Sequence, residues 1–230
     1  MKAILVDEST PDRTLVWEEA PDPFMGPEEV LVDVHATAVN RADLMQRAGN
    51  YPPPPGSSPI MGLEMAGVIA AIGENVRGWS VGDRVMALLP GGGYAEQVSV
   101  AAALLMPVPT GWSMAQAAAL PETWLTAFVN IYMEAALAEG DTVLVHGGAS
   151  GVGTAAIQLC HATGNPILVT AGSDEKCDAC RALGADHAVN YRTSDWADEV
   201  RRLAPDGIDV ILDMVGADYL ADNLGLLRLR

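Results

Sequence analysis

The most chemically informative stretch of the chain is Val143-Leu144-Val145-His146-Gly147-Gly148-Ala149-Ser150-Gly151-Val152-Gly153. An apolar strand enters a turn of small residues, and a helix-compatible segment leaves it. Glycines let a backbone turn tightly and come close to a pyrophosphate, whose charge is then held by the first N–H groups and the dipole of the helix. Counted strictly, the pattern is Gly148-x-Ser150-x-x-Gly153, with Ser150 where the usual dinucleotide fingerprint has its middle glycine. Serine is small and can itself bond a phosphate oxygen. Gly148, Ala149, Ser150, Gly151, Val152 and Gly153 are therefore read as the phosphate-binding turn. The strand before and the helix after separate this reading from a glycine turn built for packing alone.

The end of the next strand decides which nucleotide fits. An NAD site usually carries an acid about 20 residues on, bonded to the ribose 2′-OH. Here the strand ends Thr170-Ala171-Gly172-Ser173, with Gly172 near the acidic place. Ser173 and Lys176 offer a hydroxyl and a cation to a 2′-phosphate, and one charge-assisted contact is worth ~1.5–3 kcal/mol. Asp174 and Glu175 oppose this, or serve only as N-terminal charges of the following helix. The balance favours NADPH.

Two textures of sequence must position these groups. Up to residue 121 the chain reads as short strands broken by Gly and Pro. Val30, Val32, Val34 and Ala36 fall on one face of an alternating segment, and 67–73, 83–88 and 94–100 are further strand candidates. Many short strands with turns between them suggest a barrel-like β domain. The proline run Tyr51-Pro52-Pro53-Pro54-Pro55-Gly56 reads as a surface loop. From residue 122 a helix is expected over 125–138. Strands at 142–146, 166–170, 187–191 and 208–212 then alternate with helices at 151–162, 175–183 and 196–203. Apolar strands separated by helices mean a parallel sheet covered on both faces.

Composition narrows the function classes. Half of the 230 residues are hydrophobic and 19% are charged, which indicates a packed core rather than disorder. Thirty acidic residues against thirteen basic give a formal net charge of −17, which argues against a nucleic-acid partner or an anionic membrane surface. Three cysteines are too few for a disulfide framework. No apolar run reaches the length of a bilayer span, and Met1–Val6 meets Asp7 and Glu8 too soon for a signal peptide. A reduced, cytoplasmic setting is the expectation. Cys177-Asp178-Ala179-Cys180 has ligand-like spacing but lies in an expected helix without a second pair. The four histidines share no metal or triad spacing.

Several separated motifs also line up with one family. They are Asn40-Arg41-Ala42-Asp43, Gly62-Leu63-Glu64-Met65-Ala66-Gly67, Val81-Gly82-Asp83-Arg84-Val85 and Gly91-Gly92-Gly93-Tyr94-Ala95-Glu96. Pro121-Glu122-Thr123-Trp124-Leu125-Thr126-Ala127, the glycine turn and Asp213-Met214-Val215-Gly216 complete the series. In that order the chain resembles the medium-chain dehydrogenase/reductase superfamily. Within it, the likeness is to the zinc-free NADPH:quinone oxidoreductases of the zeta-crystallin group, most like the p53-inducible type. The resemblance implies an α/β chain with a GroES-like β-rich catalytic domain over 1–121 and a Rossmann-type, incomplete NADP-binding domain over 122–230. Zinc alcohol dehydrogenases carry a Cys where Asn40 stands and a His where Leu63 stands. Glu64 alone does not hold zinc, so a metal-free site is implied.

The family pattern also implies roles. Asn40 and Asp43 would sit beside the nicotinamide and its ribose in the interdomain cleft, and Tyr51 would stand at the substrate mouth as the third catalytic residue. Thr126 would contact the cofactor, Tyr191 would pack near the adenosine phosphate, and Met214 and Val215 would form the loop after the fourth strand. Read from the residues alone, Asn40 is equally a helix cap, Asp43 a core carboxylate, and Tyr51 a ring packed on the proline run. Glu64 reads as holding the local turn. The acceptor implied is a quinone or a related α,β-unsaturated carbonyl. An enoyl reductase on the same scaffold and a non-catalytic NADPH-binding fragment remain the alternatives. Family members continue beyond the loop after the fourth strand, adding strands and the sheet edge that joins two subunits. The chain therefore reads as a fragment, with the family's homodimer not expected to carry over.

Overall fold

The computed structural model describes residues 1–229. The chain divides into two compact units, Met1–Glu122 and Thr123–Arg230. Glu122 falls in the first, one residue beyond the boundary drawn from the change of texture.

The first unit is built on β-strands. Strands β1 (Lys2–Val6) and β2 (Leu15–Glu19) form an antiparallel pair that the sequence reading did not anticipate. Five more strands make an antiparallel sheet: β3 (Glu29–Thr37), β4 (Glu64–Ile72), β5 (Arg84–Leu88), β6 (Gln97–Ala101) and β7 (Met106–Pro107). Their order is β6-β3-β4-β5-β7, and a bridge between Ala3 and Ala95 ties β1 to this sheet. The barrel-like expectation thus becomes an antiparallel five-stranded ladder with β6 and β7 at its ends. Alternation works as expected on β3, where Val30 and Val32 are fully buried against Met65, Ile69, Val85 and Val98. Helix α1 (Arg41–Arg47) follows β3 directly, and α2 (Met114–Ala118) lies over the sheet near the end of the unit.

The second unit is a parallel sheet. Helix α3 opens at the domain boundary (Pro121–Phe128) and runs into a π-helical turn (Val129–Glu134), so the single helix expected over 125–138 starts earlier and ends sooner. Ala136, at a positive φ of 51°, marks the stop. Strands β8 (Val143–His146), β9 (Ile167–Ala171), β10 (His187–Asn190) and β11 (Val210–Leu212) alternate with α4 (Gly151–Thr163), α5 (Asp174–Ala182) and α6 (Trp196–Leu203). A last helix, α7 (Ala217–Leu226), lay outside the sequence expectations. The sheet order is β10-β9-β8-β11, all parallel.

Near-continuous apolar strands let both sheet faces be buried. Val143, Val145, Ile167 and Val169 pack in one cluster with Ala155, Ile157 and Cys160 of α4 and with Cys177 and Cys180 of α5. Leu144, Leu168 and Val189 face the other way, against Trp196 and Val200 of α6 and Leu226 of α7. In strand sequence order the sheet reads 3-2-1-4, so the direction of winding reverses between β8 and β11. Ligands of open α/β sheets bind outside the carboxyl ends of the strands at such a reversal. The glycine turn follows β8, and the 213–216 loop follows β11.

Candidate functional site

In the first unit, Asn40 is the N-cap of α1, and its backbone N–H donates to Asp43 Oδ2 at 2.7 Å. The cap reading and the catalytic reading therefore fall on the same pair. Asp43 is only 1% exposed, and its Oδ2 also accepts from the Tyr94 hydroxyl at 2.9 Å. Its Oδ1 is buried with no hydrogen-bond partner. The Asn40 side chain donates from Nδ2 to Glu64 Oε1 at 2.7 Å, and Glu64 Oε2 accepts from the Glu122 N–H at 2.9 Å. Glu64 thus ties the start of α1 to the start of α3, two elements distant in sequence, rather than the local turn expected from the sequence.

Burial sets the electrostatics of this cluster. It pushes the Glu64 carboxyl above its usual range, against the lowering effect of the Glu122 N–H and the Asn40 amide. Glu122 is raised by burial and then by the negative charges of Glu64 and Asp43. The Tyr94 phenol is raised by burial and then by the charge of Asp43, so it remains a donor. Tyr51 stands apart in the proline loop, half exposed. It lines a cavity of about 480 Å³ with Arg13, Gln46, Pro52, Ile60 and Met61, and no hydrogen bond among the described residues joins it to Asn40 or Asp43.

In the second unit, the glycine turn has identifiable steric causes. A Cβ on Gly148 would lie 2.5 Å from Val169 Cβ, and one on Gly153 would overlap the Gly147 carbonyl oxygen. Gly147 has a φ of +70°, where side-chain-bearing residues are strained. Ser150 is the N-cap of α4 and accepts from the Gly153 N–H at 3.0 Å, while Gly148 N–H donates to Thr170 O. The N–H groups of Ala149, Gly151 and Val152 find no acceptor among the described residues. These three donors at the start of a thirteen-residue helix form the kind of anion cradle that a pyrophosphate fits. Thr126 lies on α3 and accepts through its carbonyl from Asn130 Nδ2.

At the end of β9, a Cβ on Gly172 would lie 2.7 Å from the Tyr191 hydroxyl and 3.6 Å from Arg192 Nε. Glycine at this place makes room for both. Ser173 is the N-cap of α5, its Oγ accepting from Lys176 N–H at 3.3 Å. Asp174, the acid that opposed the 2′-phosphate reading, accepts from Asn190 Nδ2 at 2.7 Å. Arg192 was not singled out from sequence; a cation one residue after Tyr191 carried no motif. Met214 and Val215 are half exposed in the loop after β11, and Met214 Cε lies 3.7 Å from the place a Gly147 Cβ would take. Among the described residues, no group of three or more His, Cys, Asp and Glu is placed to hold a metal ion. No helix among them is long and apolar enough to cross a membrane.

A parallel 3-2-1-4 sheet that follows an antiparallel β unit in the sequence is the frame of a dinucleotide-dependent dehydrogenase. Residues 26–110 match the alcohol dehydrogenase GroES-like domain, and residues 151–230 match the zinc-binding dehydrogenase domain. A quinone oxidoreductase of Pseudomonas syringae pv. tomato superposes with a TM-score of 0.88 at 32% identity, covering all of this chain and 71% of that one. The CurK enoyl reductase gives 0.89 at 32% identity, over 99% and 71%. The Escherichia coli quinone oxidoreductase complexed with NADPH gives 0.87 at 27%, over 100% and 70%. The chain belongs to the medium-chain dehydrogenase/reductase superfamily, among relatives of the quinone oxidoreductases. It spans about half the length of the curated relatives it matches, such as the human synaptic vesicle membrane protein VAT-1 homolog, 35% identical over 209 residues (91% of this chain, 53% of the relative).

Proposed function

We propose that the protein to which this chain belongs is an NADPH-dependent reductase of quinones or related α,β-unsaturated carbonyls. The chemistry such a cofactor supplies is hydride transfer to an electrophilic acceptor. The observation that carries the reading is the set of unengaged N–H groups of Ala149, Gly151 and Val152 at the sheet's reversal point. Gly148 and Gly153 let the backbone approach a pyrophosphate there, and the Ser150 hydroxyl keeps a proton to donate. Tyr191 and Arg192 stand beside the side-chain-free Gly172, and with the Ser173 hydroxyl and the Lys176 cation in the first turn of α5 they suit a 2′-phosphate better than a bare 2′-OH.

Asn40 and Asp43 serve the nicotinamide end, as the family resemblance implies. The unpartnered Oδ1 of Asp43 is a buried acceptor, and it needs a donor such as a ribose hydroxyl. Tyr51 orients the acceptor. The likeness to the CurK enoyl reductase supports a second reading, reduction of an enoyl thioester on the same scaffold.

The test is titration with NADPH and with NADH, followed by turnover with 1,2-naphthoquinone and with an enoyl thioester. Tighter binding of NADPH and oxidation of it by the quinone is the expected result. Turnover with the thioester alone selects the enoyl reading, and binding without turnover leaves this chain a nucleotide-binding unit. No binding of either dinucleotide refutes the proposal.

A further inference from the structure

His146, the last residue of β8, is 0% exposed and immediately precedes the glycine turn. Its ring is held edge-on by Trp196 and Tyr219, at centroid distances of 4.7 and 4.8 Å, and those two rings stack on each other at 4.6 Å. His146 Nε2 lies 2.8 Å from Asn223 Oδ1, and Nδ1 lies 3.0 Å from Thr170 Oγ1. Asn223, on α7 and 5% exposed, donates from Nδ2 to Asp213 Oδ2 at 3.1 Å. The other oxygen of Asp213 accepts from Val215 N–H at 2.7 Å and Gly216 N–H at 3.0 Å.

Polarity runs one way along this chain of bonds. A carboxylate only accepts, so Asp213 selects the amide NH2 of Asn223 and turns its Oδ1 toward the imidazole. Nε2 must then be the protonated nitrogen, and Nδ1 accepts from the Thr170 hydroxyl. Burial lowers the His146 pKa and keeps the ring neutral, in agreement with this tautomer.

The geometry points to a positioning role for His146: through Asn223 and Asp213 it fixes the 214–216 loop beside the glycine turn in the shape that receives a dinucleotide. His146 itself touches no ligand in this account. The loop that depends on it carries Met214, which closes over Gly147. The role in ligand binding rests on the dinucleotide reading above, whereas the bracing of the loop does not.

Amide exchange at Val215 and Gly216 in the ligand-free chain tests the bracing, with the α4 amides of Ala155, Ala156 and Ile157 as internal reference. Asn223→Asp keeps the size of the side chain and the acceptor facing His146, but removes the donor to Asp213 and adds a like charge. It should speed exchange at the two loop amides by about 10-fold and leave the reference amides within about 2-fold. His146→Leu should act in the same direction. His146→Gln, which retains an N–H toward Asn223, should stay within about 3-fold of the parent. The affinity for NADPH should fall about 10-fold in Asn223→Asp and stay within about 3-fold of the parent in His146→Gln.

Unchanged loop amides in Asn223→Asp, or loop and reference amides accelerating together, would overturn the inference. If the parent chain binds no NADPH, the dinucleotide reading falls on that result alone. The amide rates still decide whether His146 braces the loop.

Discussion

Asn40 and Glu64 are joined by one hydrogen bond, from Nδ2 to Oε1 at 2.7 Å, and the second oxygen of the same carboxylate receives the Glu122 N–H. An ionised carboxylate supplies both acceptors, and glutamine can supply only one. Glu64→Gln should therefore force two donors together and cost about 1–3 kcal/mol, read as a lowered urea midpoint of the first unit. A midpoint equal to the parent's would show that the carboxylate does not hold these two elements.

The same cluster predicts a pH dependence. Glu64 and Glu122 are both raised above 4.5 by burial, and Glu122 further by the charge of Glu64. A carboxyl that holds its proton more tightly when folded stabilises the fold fully below its unfolded pKa. That contribution is lost as pH rises through the folded value. The thermal stability of the first unit should thus fall from about pH 4.5 upward through the raised folded values, and Glu122→Gln should raise Tm above that window and flatten the decline. Equal slopes in parent and variant would remove the mutual repulsion from the account.

Tyr94 donates to Asp43 Oδ2 from a position where its phenol stays protonated. In Tyr94→Phe the buried carboxylate loses a charge-assisted bond worth about 1.5–3 kcal/mol. Chemical denaturation should register that loss, together with a weaker affinity for NADPH if Asp43 meets the cofactor. Unchanged stability would mean that water replaces the hydroxyl.

At the adenosine end, Lys176→Ala and Arg192→Ala should each weaken NADPH about 10-fold and leave NADH within about 2-fold. Isothermal titration with the two dinucleotides decides this. Equal losses for both would show that these cations do not read a 2′-phosphate.

What was legible in the sequence was whatever repeated a local pattern. The βα alternation of the second unit follows from apolar runs such as 143–145 and 167–169, which are buried on both faces and need no partner information to be recognised. The glycine turn was legible because its small residues stand together between an apolar strand and a helix, although the contact that requires Gly148, with Val169 of β9, comes only from strand pairing. The β1–β2 pair was not, because Leu15–Glu19 is mostly exposed and its Trp17 and Val16 are held by pairing across the hairpin rather than by alternation. In the sequence His146 is only the last residue of an apolar strand, with no metal or triad spacing to the other histidines. Its partners Asn223, Trp196 and Tyr219 lie 50 to 77 positions away, and only the fold brings them together. Arg192 escaped for the same reason, since its nearness to Gly172 depends on the pairing of β9 with β10.

In the proposed function, the first N–H groups of α4 hold a dinucleotide pyrophosphate. The most direct test of this is an amide-resolved NMR titration of the chain with NADPH, repeated on Gly148→Ala, where the added methyl would press on Val169. Saturable shifts centred on Ala149, Gly151 and Val152, lost in the variant, are the expected result. Saturation with those three amides unmoved, or an unaltered response in Gly148→Ala, would contradict it.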